Sequence, residues 1–197
     1  MRRWTASEEP DATQLAEIAA MLSGGGVALL PTDTVYGLHA VADDAAAVDR
    51  IAAMKGRPEG KPFIVIAASI EQLEGMQLVV PEVLRELWPA PLTAILRRAG
   101  GETVAVRIPL LPWLRALAAR TGPLVSTSAN EAGKPPITAP NELSFDLQSK
   151  LDGLLDAGPR VGEPSAIVDF TSDPPRLVRE GHRSFTQKLR KTLRKTL

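Results

Sequence analysis

The sequence predicts an α/β fold, a twisted sheet of mixed parallel and antiparallel strands flanked by helices. Stretches with apolar residues at helical spacing alternate with short apolar runs over most of the chain. Those runs, such as V-A-L-L at 27–30 and F-I-V-I-A at 63–67, lack strict polar alternation, as strands covered on both faces do. The Pro- and Gly-rich stretches at 56–62, 133–140 and 158–164 are as long as loops and too short for interdomain linkers, so a single domain is expected.

The elements follow in order. Leu15, Ile18, Ala19 and Leu22 form a helical stripe after Asp11, and Gly24, Gly25 and Gly26 end that helix before the strand at 27–30. A second helix is expected over 43–54, with Asp43 or Asp44 as its N-cap and Val48, Ile51 and Ala52 facing inward. After the strand at 63–67 come a helix at 82–88, strands at 93–96 and 104–108, a helix at 113–120 and a strand at 124–126. Two short strands, 166–170 and 176–178, complete the body. Phe185, Leu189, Leu193 and Leu197 then recur at i, i+4 steps between Lys and Arg, the pattern of a basic amphipathic helix that packs its apolar stripe on the body or frays.

Composition narrows the function classes. Hydrophobic residues make up 44% and charged residues 23% of the 197, ordinary values for a chain that folds on its own. With no cysteine, a disulfide framework, a thiolate metal site and a cysteine nucleophile are excluded, and a reducing cytosol suits the chain. The two N-terminal arginines run into Glu8, Glu9 and Asp11 where a signal peptide would have its apolar core, and no apolar run approaches the ~18 residues of a membrane span. A soluble cytoplasmic protein is expected. Net charge is zero, but residues 182–197 hold six of the 23 Lys/Arg and no acid. The body therefore carries 17 basic and 23 acidic residues, a balance of −6 that excludes a globally basic nucleic-acid binder.

Four segments carry candidate chemistry. The first, P-T-D-T-V-Y-G-L at 31–38, follows a buried strand, where α/β sheets favour ligands; it reads either as a substrate loop with two hydroxyls flanking a carboxylate or as an Asx-capped turn. In the second, Lys55, Arg57 and Lys61 fall within seven positions after a helix, between Gly and Pro residues. They suit phosphate, although a helix C-terminus by itself favours cations. Arg107 sits in an otherwise apolar strand, in step with Thr103 and Ala105, and must meet an anion or, on an edge strand, solvent. Finally, Ser126, Thr127, Ser128 and Asn130 crowd donors and acceptors at a strand end, favouring a ligand cradle over a bare turn. There is neither a G-x-x-x-x-G-K-[ST] loop nor a G-x-G-x-x-G loop. His39 and His182 lack partners at metal or catalytic spacing and read as structural residues.

Together these segments resemble the YrdC family, whose hallmarks are P-T-[DE]-T-V-Y-G-L, K-x-R-P, P-L-T, V-A-V-R and S-x-S-A-N in that order. All five occur here, at 31–38, 55–58, 91–93, 104–107 and 126–130, and the likeness extends through E-P-S-A-I-V-D at 163–169 and L-V-R at 177–179. It covers residues 12–181. The resemblance implies a YrdC-like catalytic domain over 1–181 with a concave basic cleft, followed by the tail 182–197, the short bacterial form without a further domain. It implies a nucleotidyltransferase that joins L-threonine, bicarbonate or CO2, and ATP into threonylcarbamoyl-AMP, releasing pyrophosphate, for N6-threonylcarbamoyladenosine formation in tRNA.

By motif position, Thr34, Arg107, Ser126 and Ser165 would bind threonine. Arg57, Lys61, Thr103, Ser128, Asn130, Pro136 and Arg179 would bind ATP, with Lys55 and Arg57 as the catalytic residues. Mg²⁺ would ride on the ATP phosphates, with no protein side chain as metal ligand. Downstream tRNA threonylcarbamoyl-transfer proteins are implied as partners, and the basic tail leaves room for RNA or tRNA contact. Ile66 stands where longer relatives often have a histidine, so that contact is not transferred, and E-A-G-K at 131–134 replaces the commoner x-S-G-x. Two other readings remain: a double-stranded RNA or tRNA-binding module, and a YrdC-like paralogue acting on another carbamoylated acceptor.

Overall fold

A computed structural model describes residues 1–56, 62–131 and 133–196. In chain order the strands are β1 (Arg2–Thr5), β2 (Ala28–Pro31), β3 (Tyr36–Val41), β4 (Ile64–Ile66), β5 (Leu92–Arg97), β6 (Thr103–Arg107), β7 (Leu124–Ser128), β8 (Gly153–Asp156), β9 (Ala166–Asp169) and β10 (Arg176–Arg179). The helices are α1 (Ala12–Ser23), α2 (Ala45–Met54), α3 (Ile70–Gly75), α4 (Glu82–Leu87), α5 (Pro112–Thr121), α6 (Phe145–Ser149) and α7 (Arg183–Thr196). Local chemistry sets several boundaries. Asp11 accepts from the Gln14 amide while the Gln14 side chain reaches back to the Asp11 N–H, a capping box that starts α1. Of the two aspartates before α2, Asp44 is the one that caps, accepting from Ala47. Pro112, with no amide hydrogen to lose, opens α5.

The strands form one sheet in the order β1-β8-β2-β3-β7-β4-β6-β5-β9-β10. Pairing is mixed, as expected: β4 with β6 and β5 with β9 are parallel, whereas β2–β3, β3–β7, β4–β7 and β5–β6 are antiparallel. The unbroken apolar run of β2 has a direct cause. Leu29 packs with Leu38, Ile51 and Leu147 beneath α2 and α6, while Ala28 and Leu30 pack with Ile18, Leu22 and Leu117 beneath α1 and α5. Both faces are buried, so both alternating sets must be apolar. A third cluster joins Ala94, Leu96, Val106 and Val168 to Leu73, Leu84, Leu189 and Leu193. Helix α7 belongs to that cluster: Leu189 is fully buried and Phe185 packs against it, while Arg190 pairs with Glu180 on the outer side. Leu197, the last residue of the tail's apolar stripe, lies outside the described residues. Among the described residues no helix is long and apolar enough to cross a membrane.

Three strands escaped the sequence pattern. β1 is the edge strand and pairs in parallel with β8, Arg2 opposite Gly153, while β8 pairs in turn with β2. β3 takes up Tyr36, Gly37 and Leu38, so the 31–38 segment is a hairpin whose turn occupies only residues 32–35. β7 runs on to Ser128, two residues past its expected end, so Ser128 is a strand residue on the same face as Ser126. β6 lies between β4 and β5, which removes the edge-strand reading of Arg107.

Candidate functional site

Arg107 ends β6 and is 5% exposed. Its Nη2 donates to Asp33 Oδ1 at 2.5 Å and its Nη1 to Thr34 Oγ1 at 3.0 Å. The other Asp33 oxygen accepts from the Leu110 amide at 3.0 Å, so one carboxylate ties the β2–β3 turn to the segment leaving β6. The accumulated twist of a sheet brings the ends of distant strands toward one face, which lets a turn three strands away reach this arginine. Thr32 stiffens the turn: its Oγ1 donates to the Val35 carbonyl and lies 2.9 Å from Thr34 Oγ1. Gly162 covers it from outside, and a Cβ there would stand 2.1 Å from the Thr34 carbonyl oxygen, so only glycine permits that approach.

Beside Arg107 the register places Thr93, which is fully buried, and Thr93 Oγ1 lies 2.8 Å from Ser165 Oγ. Arg179 wraps Ser165, its Nε and Nη2 donating to the Ser165 carbonyl at 3.1 and 2.9 Å. Burial lowers the pKa of Arg179, and the positive charge of Arg107 pushes it the same way. Among the described residues Asp33 ion-pairs with Arg107, whereas Arg179 is more exposed and is held by the Ser165 carbonyl. Thr34, Arg107 and Ser165, which the resemblance places with threonine, lie near one another, Thr34 bonded to Arg107 and Ser165 to the Thr93 beside it. Arg179, which the motif pattern had placed with ATP, stands with them.

A second cluster lies at the other end of β7. Lys55, just after α2, donates to the Ser128 carbonyl at 3.0 Å, the Asn130 carbonyl at 2.5 Å and Asn130 Oδ1 at 2.7 Å. Ser128 Oγ donates to the same Oδ1 at 2.7 Å, while Asn130 Nδ2 donates to the Glu131 and Lys134 carbonyls. The Ile137 amide closes the loop on the Ala129 carbonyl, holding the half-buried Pro136 nearby. The Ala129 amide in turn donates to the Tyr36 carbonyl, which joins this cluster to the β2–β3 hairpin. Thr103, by contrast, is exposed at the start of β6, opposite Arg97 and four residues from Arg107 along the strand. Arg57 and Lys61 lie outside the described residues.

Ser126 connects the two clusters. It shares a face with Ser128, pairs with His39 in register, and its Oγ is 3.1 Å from His39 Nε2. Ile66, in the same row as Arg107, is buried under α1 and α5 and offers no polar contact.

The family model described as telomere recombination, that of the Sua5, YciO and YrdC proteins, matches residues 20–181. The chain belongs to the Sua5/YciO/YrdC family. The threonylcarbamoyl-AMP synthase of Bacillus subtilis is 39% identical over 184 residues, 85% of this chain and 53% of that protein, so the chain spans about half its length. The threonylcarbamoyl-AMP synthase of Nitrosococcus oceani is 37% identical over 167 residues, 77% of this chain and 90% of that protein. The crystal structure of Pyrococcus abyssi Sua5 complexed with L-threonine superposes with a TM-score of 0.83 at 34% identity, over 92% of this chain and 58% of that one.

Within the family frame, three residues that sequence reasoning did not assign hold the site together: Asp33, Thr93 and His39. Asp33 and Thr93 stand inside quoted motifs, but nothing in the sequence says that position 33 meets position 107, or that 93 meets 165. Those meetings come from strand order.

Proposed function

We propose that this chain carries threonylcarbamoyl-AMP synthase activity, joining L-threonine, bicarbonate or CO2, and ATP into threonylcarbamoyl-AMP and pyrophosphate. The observation that carries the reading is the buried Arg107, ion-paired with Asp33, with the more exposed Arg179 close enough to feel its charge. Arg179 and the hydroxyls of Thr34, Thr93 and Ser165 suit one amino-acid carboxylate. Kinship with synthases, and with a Sua5 protein crystallised with L-threonine, supports the same substrate. Ser126 would then face threonine, while Ser128, Asn130 and Pro136, with Arg57, Lys61 and Thr103, would take the nucleotide. Here Arg179 belongs with threonine, through Ser165.

The chemistry fits a site without a general base. The neutral threonine amine forms an N–C bond to CO2 and gives up one proton to solvent, and a carbamate oxygen then forms a bond to the α-phosphorus of ATP as its bond to the pyrophosphate oxygen breaks. Positioning and charge neutralisation supply most of the acceleration in such a transfer. Lys55 acts as a positioning residue in this scheme, since its ammonium organises the 128–130 backbone. Among the described residues no three His, Asp or Glu side chains cluster as metal ligands. Mg²⁺ would be carried by the triphosphate oxygens, where it offsets their charge. The product would serve N6-threonylcarbamoyladenosine formation in tRNA, in the cytoplasm, through downstream transfer proteins. The exposed Arg183, Lys188 and Lys191 of α7 are the surface that favours an RNA contact.

The test is pyrophosphate release from ATP in the presence of threonine and bicarbonate. Release should require both, and serine should support far less of it. Release independent of threonine would remove the reading and favour a paralogue with another carbamoylated acceptor.

A further inference from the structure

His39 is fully buried inside the sheet, and no step of the proposed reaction uses it. It stands on the same face as Arg107, and its ring is bonded at both nitrogens: Nδ1 lies 2.9 Å from the Gly37 carbonyl oxygen and Nε2 lies 3.1 Å from Ser126 Oγ. A carbonyl oxygen only accepts, so Nδ1 carries the proton. A neutral imidazole has one N–H, which leaves Nε2 as a bare acceptor. Burial lowers the pKa of His39 to about 4, with the charge of Arg107 acting the same way against the Gly37 bond, so the ring is neutral near pH 7. The ring is also held in place sterically. A Cβ on residue 37 would come within 2.8 Å of His39 Cε1 and 3.1 Å of the Thr127 carbonyl, so the glycine of the 31–38 motif makes room for this imidazole.

With Nε2 bare, the Ser126 hydroxyl must be the donor in their bond. We propose that His39 is a positioning residue that fixes the polarity of Ser126, turning the hydroxyl proton into the sheet and its lone pairs toward the cleft. Ser126 then accepts a hydrogen bond and cannot donate one to a carboxylate. The inference rests on the reading of this site as a threonine site. There the substrate carboxylate goes to the arginines, and Ser126, between Arg107 and the Ser128–Asn130 cluster, accepts from the amine N–H. A hydrogen bond taken from N–H leaves the nitrogen lone pair available to CO2. The device thus orients the reacting amine and discriminates against acids that lack one.

Two measurements test it. In protein labelled with ¹⁵N-histidine and no substrate, the His39 resonances should show a protonated Nδ1 and an unprotonated Nε2, and Ser126→Ala should move the Nε2 signal. A protonated Nε2 would overturn the proposal. In the pyrophosphate assay, Ser126→Ala and His39→Phe should each raise the threonine KM about 5- to 10-fold with the ATP KM unchanged, the scale of one neutral hydrogen bond. The double variant should be no worse than Ser126→Ala alone. His39→Gln, which keeps an acceptor near the Nε2 position, should return the threonine KM to within about 2-fold of wild type. If Ser126→Ala raises the threonine KM while His39→Phe and His39→Gln both leave it unchanged, the proposal fails. Should His39→Phe not fold, the wild-type NMR result and His39→Gln still decide. Loss of threonine dependence in the wild type would instead sink the synthase reading, and the NMR result would stand or fall separately.

Discussion

Asp33→Asn isolates the contribution of the internal counter-ion. The two side chains of the Asp33–Arg107 pair are 5% and 7% exposed, and the substitution keeps the volume while removing the charge. Removing one partner of a buried ion pair typically costs about 3–5 kcal/mol, because the other charge is left uncompensated. Arg107 retains Thr34 Oγ1, and an asparagine oxygen can still accept from the Leu110 amide, so the low end, about 3 kcal/mol, is expected. For a chain of this size that lowers Tm by about 6–12 °C. L-Threonine should then stabilise the variant more than the wild type, because its carboxylate replaces the lost one; saturation at 100-fold Kd contributes about 2.7 kcal/mol. The assay is thermal unfolding followed by circular dichroism, with and without L-threonine, and with threoninamide as the ligand that lacks a carboxylate. A variant melting within about 1 °C of wild type would refute the counter-ion argument. Equal rescue by threoninamide would refute the assignment of the guanidinium to the carboxylate.

Lys55→Met removes the ammonium that gathers Ser128 and Asn130; at about 1.5–3 kcal/mol for a charged hydrogen bond, the ATP KM should rise roughly 10- to 100-fold while threonine binding measured by calorimetry stays unchanged. Leu189→Ala opens a void in the cluster beneath α7 and should cost about 2–5 kcal/mol, read as a lower urea midpoint, with synthase activity at 20 °C retained. Acid should destabilise the protein through His39. Its folded pKa of about 4 lies below the ordinary 6.5, so between those values the unfolded chain binds a proton that the folded one refuses. Stability is therefore lost as pH falls from 6.5 toward 4, by about 3 kcal/mol in all, and urea midpoints at pH 7 and pH 4 should fall further apart in wild type than in His39→Gln.

The interior of the sheet was legible because burial on both faces writes itself as continuous apolar runs: β2, β4, β5, β6 and β9 each lie within about two residues of their expected places. β1 and β8 were not legible. β1 is R-R-W-T, with one buried residue, Trp4, and its strand character comes from pairing with β8. β3 was hidden because its Gly37 and His39 break an apolar pattern, and both are there for the imidazole–serine contact. Candidate site residues were legible as residue types out of place, such as an arginine in an apolar strand. Their partners were not, because Asp33 and Thr93 look like ordinary turn and strand residues until the topology brings them to Arg107 and Ser165. The contact of Arg179 with the Ser165 carbonyl was illegible for the same reason.

The distribution of charge gives the proposed reaction its direction. At the proposed threonine end, Arg107 already has Asp33 as its partner and Arg179 would meet the substrate carboxylate, so among the described residues named for this site a second negative charge beside Arg107 would find no further cation. Formation of the carbamate adds that second charge. It is therefore favoured only at the outward end of the amino acid, beyond Ser126 and toward Lys55 and the 55–62 loop. The same electrostatics that accept threonine's carboxylate push the carbamate oxygen toward the nucleotide, where the α-phosphorus must be. An acid with a second carboxylate on its side chain, such as aspartate, meets the same penalty, and its inability to replace L-threonine or compete with it in the pyrophosphate assay is the corresponding expectation. Competition by aspartate at threonine-like concentrations would show that the pocket holds more uncompensated positive charge than Arg107, Arg179 and Asp33 leave.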